Sequence, residues 1–119
     1  MATSESAIAS RGLLARDVRG TEFTIMIGVG VPHQNPDNWA CPVTIQGLGF
    51  SRDMRDIFGL DSWQALTLAY QFIGQILANF IEDGGQLYSL EERLPVSVEE
   101  LLPKLTLPLN KTGRAEREQ

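Results

Sequence analysis

Apolar residues along this chain repeat at two intervals, and the change of interval separates sheet from helix. From Thr21 to Val31 the interval is two. Phe23, Ile25, Ile27, Val29 and Val31 alternate with Glu22, Thr24, Met26, Gly28 and Gly30, as in a strand with one buried face. Gly28 and Gly30 leave the other face bare, which predicts a bulge or a second segment lying close to the backbone. The same alternation returns from Trp39 to Leu48, with Trp39, Cys41, Val43 and Ile45 on one side. Pro42 lacks an amide hydrogen, so it belongs at an edge, at a bulge or where that hydrogen would point outward.

Between Ser62 and Ile81 the interval becomes helical, over twenty residues without a charge. Leu66, Ala69, Tyr70, Ile73, Leu77, Phe80 and Ile81 make one apolar face, and Ala65, Leu68, Phe72 and Ile76 widen it. The remaining stripe, Gln64, Thr67, Gln71, Gly74, Gln75 and Asn79, is polar but neutral. Its amides would be costly in hydrocarbon, so a membrane span is rejected despite the length. The pattern predicts a helix buried over most of its circumference, its neutral stripe covered by a loop, by the Leu-rich C-terminal segment or by a second copy. Asp61 is the predicted cap, with Gln64 reaching back to Asp61's own amide. Gly84 and Gly85 close the helix.

Weaker signals fill in the remainder. Gly12–Val18 reads as a strand, Pro32–Asn38 as a loop, Met54–Phe58 as a short fourth strand and Gln86–Leu90 as an edge strand. Ser97 and Glu100 form a capping box opening a short helix through Leu102. Leu105, Leu107 and Leu109 alternate in an extended run that Pro108 keeps at an edge or outside a sheet. The predicted fold is α+β: an antiparallel β-meander of about four strands packed against one long central helix, with a short C-terminal helix. Phe23, Ile25, Ile27, Val43 and Ile45 should meet Leu66, Ala69, Ile73, Leu77 and Phe80 in the core. Residues 1–10 read as a flexible arm, 11–109 as one domain and 110–119 as a disordered tail.

A chain of 119 residues is long enough to bury a core without disulfides or metals. The single cysteine excludes an internal disulfide and suits a reducing compartment, and the N-terminus shows no secretion signal, so a cytoplasmic location is expected. The net charge of −5 disfavours nucleic acid and suits either a basic partner or solubility alone.

Catalytic material is sparse. His33, Cys41 and Asp37 are the only set resembling a nucleophile, base and orienting acid, or a metal site, and Cys41 lies on an apolar strand face. Gly28-Val29-Gly30 lacks the third glycine and following helix of a phosphate loop. Asp53, Asp56 and Asp61 alternate with Arg52 and Arg55, which suits a solvated or partner-facing edge better than a cation site. No catalytic residue, metal or cofactor is therefore expected. Trp63, in the first turn of the helix, reads equally as a binding anchor or a core plug.

Two motifs, W-x-C-P-x-x-I-x-G-L from Trp39 to Leu48 and G-x-D-S-x-Q-A-L from Gly59 to Leu66, resemble those of a family of short uncharacterised bacterial α+β proteins. The resemblance spans roughly Arg11 to Leu90, and Val96–Leu109 departs from it. Some proteins of this kind are suspected immunity proteins, encoded beside polymorphic toxins. That implies a non-enzymatic module that occludes a cognate toxin through acidic groups such as Glu22, Asp37, Asp53 and Asp56 around an anchor such as Trp63. The alternatives are a small-molecule or minor catalytic site in a groove near Gly28, Gly30 and Tyr70, lined by Gln71, Gln75 and His33, and an oligomeric scaffold or homodimer joined through the uncharged helix.

Overall fold

In a computed structural model, which describes residues 7–49 and 54–102, the chain forms one antiparallel sheet crossed on a single face by one long helix. The elements are β1 (Ala7–Arg16), β2 (Glu22–Gly30), β3 (His33–Gln34), β4 (Trp39–Gln46), β5 (Met54–Gly59), α1 (Ser62–Glu82), β6 (Gln86–Ser89) and α2 (Val98–Leu101). β5 pairs with one edge of β4, and β2 and β3 share the other. Next come β1 and then β6, so α1 carries the chain from one edge of the sheet to the opposite edge. This is the predicted fold class. Among the described residues no helix is long and apolar enough to cross a membrane.

The alternation behaves as expected. Leu13 and Ala15 of β1, Ile25, Ile27 and Val29 of β2, and Cys41, Val43 and Ile45 of β4 are buried in one core with residues of α1. From the helix the buried residues are Ala65, Ala69, Ile73 and Leu77, a single i, i+4 row. Removing Ile73 and Leu77 from water stabilises the fold by about 1.5–3 kcal/mol each. Phe23 meets Phe80 edge-on, their ring centres 6.1 Å apart. The helix is thus less enclosed than its composition predicts. It packs chiefly on β4 and β5, and Leu68, Tyr70 and Ile81 remain exposed.

Local chemistry fixes both ends of α1. Asp61 is the cap, its carboxylate accepting from the Gln64 amide at 2.8 Å. The Gln64 side chain bonds one residue further back than predicted, accepting from the Leu60 amide at 2.7 Å. At the other end the Gly85 amide donates to the Phe80 carbonyl and the Gly84 amide to that of Ile81, both at 3.0 Å. Gly84 has φ +103, the left-handed conformation this closure needs. The entry to α1 is tight. A Cβ on Gly59 would lie 2.5 Å from the Ala65 backbone nitrogen, so the end of β5 and the first turn of the helix touch backbone to backbone.

Several boundaries differ from the sequence-based expectation. β1 begins at Ala7, so Ala7–Ser10 are strand rather than arm. Their side chains are largely exposed, and ladder bonds to β2 hold them instead of an apolar face. β3 lies inside the stretch expected to be loop, and the Asn35 amide donates to the Asn38 carbonyl at 2.7 Å across the tip of the β3–β4 hairpin. The predicted tail and the alternating leucines lie outside the described residues.

The bare glycine face coincides with two irregularities. Ala7 opposes Gly30 but Ala9 opposes Val29, leaving Ile8 as an extra residue on β1. On the other flank Val29 opposes Val43 while His33 opposes Ala40: four steps against three, again one extra residue. Pro42 sits in that second interruption. The predicted capping box is also present, with the Glu100 amide donating to Ser97 Oγ at 3.2 Å and the Ser97 amide to Glu100 Oε1 at 3.0 Å.

Candidate binding surfaces

The corner where β5 becomes α1 exposes more apolar surface than any structural role requires. Gly59 at the end of β5 opposes Trp39 at the start of β4, so this corner lies beside the tip of the β3–β4 hairpin. Phe58 is 52% exposed, Leu60 83% and Trp63 75%. Trp63 is therefore not a core plug. Asp37 at the hairpin tip, Asp56 on β5 and the capping Asp61 are also exposed, giving the apolar corner an acidic surround.

Of the other acidic residues expected to meet a partner, Glu22 sits elsewhere. Its carboxylate is held by Arg16, with Nη2 to Oε2 at 2.8 Å, and by Arg93, with Nη2 to Oε1 at 2.9 Å. Hydrogen bonds from Arg16 and then Arg93 hold its carboxyl below the ordinary value. The Arg16 guanidinium, itself pushed upward chiefly by Glu22, lies 4.9 Å from the Tyr88 ring centre and donates to the Tyr88 hydroxyl at 3.1 Å. Glu22 thus ties β1 and β2 to the turn after β6. Its charge is answered within the chain. Asp53 lies outside the described residues.

The nucleophile reading finds no support in the geometry. Cys41 is fully buried, and its thiol donates to the Gly30 carbonyl at 3.6 Å, in the interruption between β2 and β3. Burial, with a smaller contribution from the charge of Asp56, pushes the thiol up and keeps it protonated at neutral pH. His33 opposes Ala40, so its side chain shares the sheet face of Ala40 and points away from that of Cys41. Among the described residues no three His, Cys, Asp or Glu side chains are grouped to hold a metal.

A second concave surface arises because α1 lies toward β4 and β5. A half-open cleft of about 1510 Å³ runs beside the helix. Ile8, Ala9 and Val29 form its sheet wall; Leu66, Tyr70, Gln71 and Gln75 its helix wall; Tyr88, Val96, Val98 and Leu102 close it from the C-terminal side. Tyr70, Gln71 and Gln75 were expected in such a groove. Gly28, Gly30 and His33 are not there, because they belong to the sheet face turned away from α1. Thr67, Gln71, Gly74 and Gln75 of the neutral stripe line this cleft, while Gln64 and Asn79 do not, and Gln64, Gln71, Gln75 and Asn79 are all exposed. Gln75 donates to Asn79 Oδ1 at 2.9 Å along the stripe. No pattern in the sequence marks the cleft, since it depends on where the helix axis crosses the sheet.

Residues 9–96 match a protein-family model described as a domain of unknown function, DUF6968. No curated protein and no solved structure matches the chain.

Proposed function

The chain belongs to the DUF6968 family, a domain of unknown function, and from the chemistry of its own surface we propose that it is a non-enzymatic protein-binding module. The observation that carries this reading is the corner of Phe58, Leu60 and Trp63 with Asp37, Asp56 and Asp61 around it. Exposed aromatic residues are the usual energetic centres of protein interfaces, and surrounding carboxylates select a basic partner and speed its approach. The finer form of the proposal is an immunity protein of the bacterial cytoplasm, which neutralises a cognate toxin by covering its active site or substrate groove. The net charge of −5 and the resemblance of the Trp39–Leu48 and Gly59–Leu66 motifs support it.

The test is a pull-down and calorimetric titration of the purified protein against the product of the adjacent gene. Trp63→Ala should weaken the complex by about 2 kcal/mol, roughly thirtyfold. Neutralising Asp37 and Asp56 should slow association and flatten its salt dependence. Absence of any complex removes the immunity reading. A complex indifferent to Trp63 moves the interface away from this corner.

The cleft supports a second reading, a small-molecule site. Its 1510 Å³ exceeds the span of about 300–1,000 Å³ usual for such sites, and one side is open, so a polypeptide segment suits it better.

A further inference from the structure

The two outermost strands of the sheet are finished differently. The outer edge of β6 is closed by the chain that follows it: the Ser89 amide donates to the Leu94 carbonyl and the Val96 amide to the Leu87 carbonyl, both at 2.9 Å. β5, on the opposite side, pairs with β4, and among the described residues no strand pairs with its other edge. Every second amide and carbonyl of Met54–Gly59 therefore points away from the sheet, with no backbone partner among the described residues. Edges of this kind are usually blunted by a proline, a bulge or a projecting lysine. β5 has none of these. Its sequence is Met-Arg-Asp-Ile-Phe-Gly, and its pairing with β4 runs without a shift of register. Arg55 shares the α1 face of the strand, and its guanidinium lies 5.5 Å from the Phe72 ring centre, drawn over the helix.

The opposite face sets the chemistry of a guest. Met54, Asp56 and Phe58 stand opposite Thr44, Pro42 and Ala40, on the side of the sheet turned away from α1, and all three are exposed. An acid thus lies between two apolar side chains at two-residue spacing. Asp56 has no ion pair among the described residues. Directly opposed side chains interact across a strand pair, so the matching guest carries a lysine or arginine with an apolar residue two positions away on each side. A second copy matches less well. A two-fold pairing of β5 with itself, centred on Asp56 or on Arg55, puts like charges face to face.

The geometry points to strand addition: the basic partner of the apolar corner docks by laying an extended apolar–cation–apolar segment along the outer edge of β5, its backbone bonded to that of Met54–Gly59. This rests on the reading of Phe58, Leu60 and Trp63 as a protein-binding surface, which the edge enters at Phe58. The corner supplies the apolar centre of the contact, and the edge fixes the direction and register of the partner.

The experiment titrates a capped synthetic peptide, Ile-Thr-Lys-Thr-Ile, into the full isotope-labelled chain. The amide signals of Met54–Gly59 should shift, and those pointing away from β4 should exchange more slowly with solvent. Replacing the peptide's lysine by glutamate should weaken binding about tenfold. The decisive comparison uses two N-methylated peptides, one blocked at the isoleucines and the lysine, the other at the threonines. An added strand turns only one of these alternate sets toward β5, so one pattern should abolish binding and the other preserve it. No shift at β5, shifts at another surface, or two N-methylated peptides that behave alike overturn the proposal. Shifts at Met54–Gly59 that follow the concentration of the protein alone overturn it in favour of a second copy. If the adjacent gene's product binds through Trp63 while the peptide fails, strand addition alone falls; if the peptide binds while that complex is indifferent to Trp63, the corner reading alone falls.

Discussion

The buried row of α1 and the exposed corner before it are built from the same class of residue and do opposite things. Ala65, Ala69, Ile73 and Leu77 lie against the sheet, two small residues near the entry and two large ones beyond. The small ones let the helix come down onto Gly59, and the large ones fill the widening space. Phe58, Leu60 and Trp63, within six positions of one another, touch water instead. Position along the helix and the angle at which it crosses the sheet decide the outcome; hydrophobicity does not. Apolar residues of the first group should govern stability, and those of the second should govern association.

The sharpest way to break that contrast is to truncate one residue from each group. Leu77→Ala should lower the unfolding free energy by about 2–5 kcal/mol in a urea titration, because a fully buried side chain leaves a cavity. Trp63→Ala should shift the same titration by less than about 0.5 kcal/mol. A Trp63 loss as large as that of Leu77 would make the corner part of the core. Gly59→Ala tests the joint between the two groups. Its Cβ would press on the Ala65 backbone, which cannot yield as a side chain would, so a loss of about 1–3 kcal/mol is expected. Asp61→Ala removes the cap and should cost about 1 kcal/mol. The smallest effect concerns Glu22. Its folded pKa is lowered, so its contribution is full above the ordinary carboxyl value and fades as pH falls through the folded value. Glu22→Gln should therefore flatten the acid limb of a stability-against-pH curve and leave the alkaline limb unchanged.

The sheet and helix were legible in the sequence because alternation, capping residues and paired glycines are local signals. The β2 and β4 faces, the Asp61 cap, the closure at Gly84 and Gly85 and the box at Ser97 and Glu100 all appear as read. The start of β1 was not legible, since Ala7–Ser10 are small and exposed and follow β2 through backbone bonds alone. The degree of helix burial was overestimated for a different reason. Periodicity shows which residues share a face, but how much of that face the sheet covers depends on the crossing angle. Of the candidate site, Trp63 was legible as a candidate anchor, whereas Phe58 and Leu60 were missed. Leu60 sits immediately before the cap, outside both repeating patterns, and that irregularity was the available signal.

The order of strands in the sheet also sets the order in which the fold can be assembled. β1, β2, β4 and β5 pair with near neighbours in sequence, apart from the short detour through β3, so their ladders close small loops. The β1–β6 pairing closes the longest loop of the sheet, with α1 inside it; Arg16 and Tyr88, which bond across that seam, are 72 residues apart. Such a pairing pays its chain entropy late. Weakening the seam with Tyr88→Phe should therefore speed unfolding and leave the refolding rate nearly unchanged in a chevron measurement. That outcome would make the β6 edge the last part of the described sheet to close and the first to open.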